Sequence, residues 1–370
     1  MDVRDTVVEV DLWAIAHNLR ELRKRLEPKT AVMAVIKADA YGHGAIAVAP
    51  TLMENGADYL GVATLSEALE LRDAYPDYPV IIIGHTPDRL LHICVERDIT
   101  MTVFRAEQGR IISEAAETLG KAAKIHLKVD SGLHRLGAVT ADELWPLCTH
   151  KNVLTEGIFT HLALLSDEED TKQVNFFLDI VNELERRGAH FRYKHVSDSY
   201  AAVQSPWFGM DMVRVGALLY GTIVYERNFI DLRQAIRFYT RISCLHTIPK
   251  GEGVGYDRGW RAERESRVAT LPFGYSDGFP RNVPNAYVVI KGVKCPIRGL
   301  ICMDQCMADV TDVPDVHEGD LALIYGDGSD GALSIRETAA RLSTNKNELL
   351  SLLSLRAPHV YKRGDDEQQP

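Results

Sequence analysis

The sequence predicts an α/β protein: an N-terminal (β/α)8 barrel of the TIM type, followed by a mostly β C-terminal domain. Three observations carry that reading. Short runs rich in β-branched residues recur between residues 30 and 216, most of them separated by stretches with helical spacing. Eight such alternations in about 220 residues match the size of a βα-barrel. Beyond residue 235 the texture changes, and segments such as "YTRISCLHTI", "SRVATLPFGY" and "DLALIYG" follow one another without long helices. An open doubly wound sheet is the alternative, but no dinucleotide glycine fingerprint follows the first strand.

The elements follow in order. From Asp11, Leu12, Ile15, Leu19, Leu22 and Leu26 share one face of a helix that Asp11 can cap. Strands are expected at residues 30–37, 59–64, 80–84, 100–104, 124–130, 154–161, 193–197 and 212–216. "EQGRIISEAAETLG" and "DTKQVNFFLDIVNELERRG" are two of the intervening helices. The boundary near 235 divides the chain into domains 1–235 and 236–370, the second ending in short helices near 334–343 and 348–354.

Composition narrows the function. A net charge of −10 leaves no basic stripe to neutralise phosphates, which argues against a nucleic-acid partner and favours a small molecule. No apolar run reaches the length of a membrane span, and "MDVRDTVVEV" lacks the apolar core of a signal peptide, so a cytoplasmic chain is expected. The six cysteines form no C-x-x-C pair and are expected to be reduced thiols.

In such a barrel the reacting groups stand at the C-terminal ends of the strands. Lys37, Asp130, His161, Ser199 and Arg214 all fall at or just after expected strand ends. A lysine there is commonly just the first solvated residue, but five polar groups on one rim weaken that reading. A desolvated lysine is a good amine nucleophile, used for Schiff bases with carbonyl substrates or with pyridoxal phosphate. Tyr41, Ser199 and the turn at Gly216 and Ala217 could serve a phosphate. Arg214 could face a pyridine nitrogen and, giving up no proton, leave it unprotonated.

These residues lie in longer motifs. "AVIKADAYGHG", "HLKVDSGLHRLG", "GIFTHLA", "MVRVGALLYG", "GVGYDR", "LPFGYSDG" and "GLICMDQCM" occur in this order along nearly the whole chain. The set resembles alanine racemase, a fold-type III pyridoxal phosphate enzyme. The resemblance implies that Lys37 holds the cofactor and acts as the base on one face of the substrate. It implies that Tyr256, contributed by the other subunit of a homodimer, is the base on the opposite face. Arg135 would bond the cofactor's phenolic oxygen and lie near the substrate, oriented by a carbamylated Lys128. His161 would lie against the cofactor ring and link Tyr256 to Arg214, and the Met303 N–H would help to hold the substrate carboxylate. Two departures stand out. Asp198-Ser199-Tyr200 replaces the Asn-Ser-Ala of many relatives, and Asn347 stands where many have a tyrosine beside the substrate. The second is similar to the serine racemases of vancomycin resistance, whose racemase portion is the cytoplasmic end of a membrane-anchored protein. Turnover of serine as well as alanine is therefore expected, with plain alanine racemisation as the alternative. A cofactor carrier protein or a decarboxylase of the same fold type fits less well. The C-terminal β domain bearing Tyr256 and Met303 argues against the first, and the lack of a consecutive-glycine phosphate loop argues against the second.

Overall fold

In a computed structural model of the chain, residues 4–363 are described, apart from 224, 226–228 and 354–355. The chain opens with a strand the sequence reading did not anticipate, β1 (Val7–Asp11). Asp11 then caps helix α1 (Leu12–Arg23), its carboxylate accepting the Ala14 N–H at 2.9 Å.

Eight parallel strands form the barrel: β2 (Ala31–Val35), β3 (Tyr59–Val62), β4 (Val80–Ile82), β5 (Thr100–Val103), β6 (Ala123–Lys128), β7 (Val153–Phe159), β8 (Tyr193–His195) and β9 (Met212–Val215). They correspond one for one to the eight expected strands, and β2 pairs with both β3 and β9. Between β8 and β9 the ring is completed by single bonds, Asp211 N–H to Lys194 O at 3.1 Å and Arg214 N–H to Ser197 O at 3.0 Å. Alternation along each strand splits the core. Val32, Ala34, Leu60 and Ile82 face the helices in the large cluster, while Ala31, Met33, Tyr59, Ile81, Tyr193 and Met212 form a small separate one inside the barrel.

The second sheet has nine strands, in the order Cys244–Ile248, Ser266–Leu271, Cys306–Asp309, Val293–Arg298, Tyr287–Ile290, Leu321–Tyr325, Ile236–Arg241, β1 and His359–Lys362. β1 runs antiparallel to Ile236–Arg241 and parallel to His359–Lys362. The division at 235 therefore needs a correction: residues 7–11 precede the barrel in sequence but belong to the sheet of the C-terminal region. With only Val7, Val8 and Val10 as apolar residues, the segment carried too short an alternation to announce its partner sheet. The short helices appear as Ile335–Leu342 and Lys346–Leu352; position 354 of the second expected helix lies outside the described residues. All six cysteines are free thiols.

Candidate active site

β2 ends at Val35, two residues before Lys37, so the lysine opens a turn and does not close a strand. Ala38, Asp39, Ala40 and Tyr41 then take φ values of +51°, +52°, +53° and +55°, one turn of left-handed helix built without glycine. Each such residue costs roughly 1–2 kcal/mol, so the turn must be held from outside. Glu67 Oε1 accepts the Ala38 N–H and Asp39 Oδ1 accepts the Ala45 N–H, both at 2.7 Å. The wholly buried His43 ring stacks on Tyr220 at 4.3 Å. The turn throws Lys37 and Tyr41 into one cavity of about 1000 Å³ at the C-terminal rim of the barrel.

That cavity is strongly cationic. Among the described residues, Lys37, Lys128, Arg135, Arg214, Arg336 and Lys346 line it, against the single carboxylate of Asp198. Burial, and then the charge of Arg135, pulls the Lys37 amine below the ordinary lysine range. Burial lowers Lys128 further, with Arg214 and Arg135 adding to it, and its amine lies over the Phe159 ring at 4.5 Å. Such a site favours an anion and makes a neutral lysine cheap.

Ser199 and Tyr41 converge on Gly216. Ser199 Oγ accepts the Gly216 N–H at 2.8 Å, and a Cβ on Gly216 would lie 2.6 Å from the Tyr41 hydroxyl, so no side chain fits there. Burial pushes the Tyr41 hydroxyl up to about 12, which keeps it a donor. Asp198, unexplained by the sequence, turns its Oδ1 onto the N–H groups of Tyr200 and Ala201, at 2.9 and 3.0 Å, at the start of the short helix Ala201–Gln204. Its carboxylate is thereby partly neutralised next to an anion site.

Arg214, on β9, is buried among neutral acceptors. Its Nη1 donates to the His195 carbonyl and Nδ1 at 3.1 and 3.0 Å, and the two hydrogens of Nη2 are shared among the carbonyls of Thr160 and Val196, both at 2.8 Å, and the Nδ1 of His161 at 3.2 Å. Among the described residues its Nε–H has no acceptor, which leaves one donor of a fixed cation for something in the cavity. Burial lowers Arg214 to about 10, still a cation at neutral pH. Because arginine only donates, both imidazoles must accept at Nδ1 and carry their proton on Nε2. Burial and the Arg214 charge hold His161 neutral, near 2.

Two family models match, Alanine racemase, N-terminal domain over residues 10–224 and Alanine racemase, C-terminal domain over residues 235–361. The chain belongs to the alanine racemase family. Similar curated proteins include Alanine racemase 1 of Caldanaerobacter subterraneus subsp. tengcongensis, 38% identical over 97% of this chain and 95% of that protein. Alanine racemase of Methanococcus maripaludis is 38% identical over 95% and 97%. Among solved structures, alanine racemase of Clostridium difficile 630 superposes with a TM-score of 0.94 at 34% identity, covering 98% of this chain and 97% of that one. The Bacillus anthracis alanine racemase with bound L-Ala-P gives 0.90 at 30%, covering 98% and 96%.

Alanine racemases depend on pyridoxal phosphate, and the residues present fit it: a desolvated amine at Lys37, a cationic cavity and an unengaged N–H on Arg214. Of the residues expected from sequence, Lys37, Tyr41, Lys128, Arg135, His161, Ser199, Arg214, Gly216, Ala217 and Asn347 all line this one cavity. Tyr256 and Met303 do not; they stand 65% and 52% exposed on the C-terminal region. Met303 is nonetheless fixed, its carbonyl accepting the Ser276 hydroxyl at 2.6 Å and the Ser276 N–H at 3.1 Å. Sequence reasoning missed Arg336 and Lys346, which reach the cavity mouth from the two C-terminal helices. The distance of Lys346 from the R-x-P segment, one residue short of Asn347, could have signalled it.

Proposed function

We propose that this chain racemises alanine with pyridoxal phosphate, Lys37 and Tyr256 acting as bases on opposite faces of the substrate Cα. The observation that carries the reading is the Lys37 amine, desolvated at the rim of the barrel in a cavity it shares with Arg135, Arg214 and Arg336. The cofactor would supply the electron sink for Cα deprotonation. Lys37 would bind it, with Tyr41, Ser199 and the Gly216–Ala217 backbone at its phosphate and the Arg214 Nε–H at its ring nitrogen. Arg214, holding its own proton, leaves that nitrogen unprotonated, which favours proton return over side chemistry. Lys37 Nζ takes or returns the proton on one face. On the other, the hydroxyl of the partner subunit's Tyr256 does so, since exposure of Tyr256 and Met303 in one chain suits a homodimer with shared sites. The domain ending at 370 would then complete a neighbour's cavity. A neutral Lys128 amine beside Arg135 is what carbamylation needs, and the resulting anion would pair with Arg135 and aim it at cofactor and substrate. Among the described residues no helix is long and apolar enough to cross a membrane, in keeping with a cytoplasmic place for this catalysis.

A second reading, turnover of serine beside alanine, is favoured by one observation. Asn347 lines the cavity and its buried Oδ1 has no partner among the described residues, so a substrate hydroxyl would find an acceptor. The shared name of the relatives favours alanine as the main substrate, and a link to vancomycin resistance would follow only from the serine activity. An enlarged pocket alone discriminates by about 1–3 kcal/mol, whereas a buried acceptor aimed at the hydroxyl discriminates more. Purified protein should turn yellow with pyridoxal phosphate and interconvert L- and D-alanine; failure to bind the cofactor would end the racemase reading. Asn347→Tyr should lower serine relative to alanine turnover about 10-fold or more. An unchanged ratio would remove the serine reading alone.

A further inference from the structure

Arg214 does not end at the cavity. From His195 a chain of side-chain contacts continues down the barrel interior, away from the rim. His195 Nε2 lies 2.9 Å from His126 Nδ1, and His126 Nε2 lies 3.4 Å from Glu156 Oε2, which also accepts the Tyr59 hydroxyl at 2.6 Å. His126, His195 and Glu156 are all buried, and barrels usually fill this space with branched aliphatic residues. The far end opens on a separate cleft lined by Glu156, Tyr59, Tyr193, Lys124 and Arg192.

The backbone is shaped for this chain. The β6–β7 register slips between Ile125 and His126: Ile125 pairs with Thr155 and His126 with Gly157, leaving Glu156 as the extra residue of a bulge. Bulges re-aim side chains, and this one supplies the buried carboxylate. The next residue must be glycine, since a Cβ there would lie 2.6 Å from His126 Nδ1. Phe159 stacks on His195 at 4.7 Å and 7°, which fixes that ring's plane.

Donor order in the chain is determined at both ends. Arg214 can only donate and an ionised Glu156 can only accept, so both imidazoles are neutral and protonated on Nε2. Each polarises the next, and the carboxylate strengthens His195 as the acceptor of Arg214. Burial, and for His195 the Arg214 charge, holds both rings below the ordinary histidine range.

We propose that Glu156 is a positioning residue for the reaction. Acting through His126 and His195 from the opposite side of the barrel, it holds the Arg214 guanidinium in the orientation that presents Nε–H to the cavity. This rests on the reading that Arg214 meets the cofactor's ring nitrogen.

The test is Glu156→Leu, which removes the acceptor, beside Glu156→Gln, which keeps an acceptor and removes the charge. Side-chain 15N spectra of cofactor-free protein should show His126 and His195 as Nε2–H forms in the parent and shifted His195 signals in Glu156→Leu. With cofactor, kcat should fall about 10²-fold in Glu156→Leu and about 10-fold in Glu156→Gln, with KM within about 2-fold, as for a misaimed group remote from the chemistry. A kcat for Glu156→Leu within about 2-fold of the parent, or unmoved His195 signals, overturns the proposal. If Glu156→Leu does not fold, the same two outcomes in Glu156→Gln decide. A parent protein that takes up no pyridoxal phosphate would refute the cofactor reading instead, while the cofactor-free spectra still test the chain.

Discussion

Neutral, buried histidines should make this protein lose stability on acidification at a pH above the carboxylate range. His43 and His195 are wholly buried. Burial takes His43 down to about 4, and burial with the Arg214 charge takes His195 well below the ordinary value. In the unfolded chain both titrate near about 6.5. Their folded pKa values are depressed, so below that pH the unfolded state binds more protons, and stability rises with pH and falls on acidification. Between pH 7 and pH 5.5 each ring that stays neutral costs about 1.3 kcal/mol, or about 2.5 kcal/mol for the pair. His126 and His161, also lowered by burial, add in the same direction. Asp130 and Glu143, whose carboxyls are held low by backbone N–H bonds among other groups, lose their contribution only at lower pH. The assay is urea unfolding of cofactor-free protein at the two pH values. A loss below about 1 kcal/mol would refute the assignment of neutral rings, and with it the donor order from Arg214 to Glu156.

Further outcomes follow from the same contacts. Gly42→Ala places a Cβ at φ +76°, 2.3 Å from the Leu350 carbonyl, and should lower the unfolding free energy by about 2–4 kcal/mol in urea titrations. Mixing Lys37→Ala with Tyr256→Ala subunits should restore activity through hybrid dimers, up to about a quarter of the parent level if one of two sites is intact in half the dimers; no recovery on subunit exchange would place both bases in one chain. Asp277 is wholly buried, bonded twice by Arg4 at 2.5 and 2.9 Å and once by the Gly274 N–H at 2.9 Å. Asp277→Ala should cost about 3–5 kcal/mol in thermal or urea unfolding and loosen the neighbouring Met303 loop, raising KM for alanine more than it lowers kcat.

What the sequence disclosed and what it hid divide along physical lines. Most of the eight barrel strands were legible as short apolar runs rich in Val, Ile or Thr, as at Ala31–Val35 and Thr100–Val103, whereas Tyr193–His195 is marked chiefly by its place in the alternation. The rim residues were legible because they lie at or within a few residues of the ends of those runs, as Lys37 after Val35 and Arg214 in Met212–Val215. β1 was hidden because its partners lie more than two hundred residues away, at Ile236–Arg241 and His359–Lys362, and no local spacing encodes that pairing. The left-handed turn was hidden for a related reason: "ADAY" has no glycine, and its conformation is set by Glu67, Tyr220 and the C-terminal helices. His126 and Glu156 read as ordinary strand residues until the bulge in β7 turned them toward each other.

The left-handed turn also connects Lys37 to Asn347, which lines the same cavity. Gly42 lies against the backbone of Leu350, in the helix Lys346–Leu352 that carries Asn347, and its carbonyl accepts the His359 Nε2–H at 2.9 Å. Gly44 has no room for a Cβ beside the Tyr361 hydroxyl, a residue of the strand that pairs with β1. The strands Val7–Asp11 and His359–Lys362, paired in the second sheet, hold the C-terminal segment against the turn that carries Lys37. A strained turn of four left-handed residues persists only where its surroundings over-determine it. Here those surroundings include the helix that presents Asn347, so a change that shifts this helix to admit a larger substrate also releases strain behind Lys37. A substitution at position 347 that leaves the helix backbone in place should change the cavity wall without disturbing the turn, so on the proposed function a change in substrate preference there should cost little in the aim of Lys37.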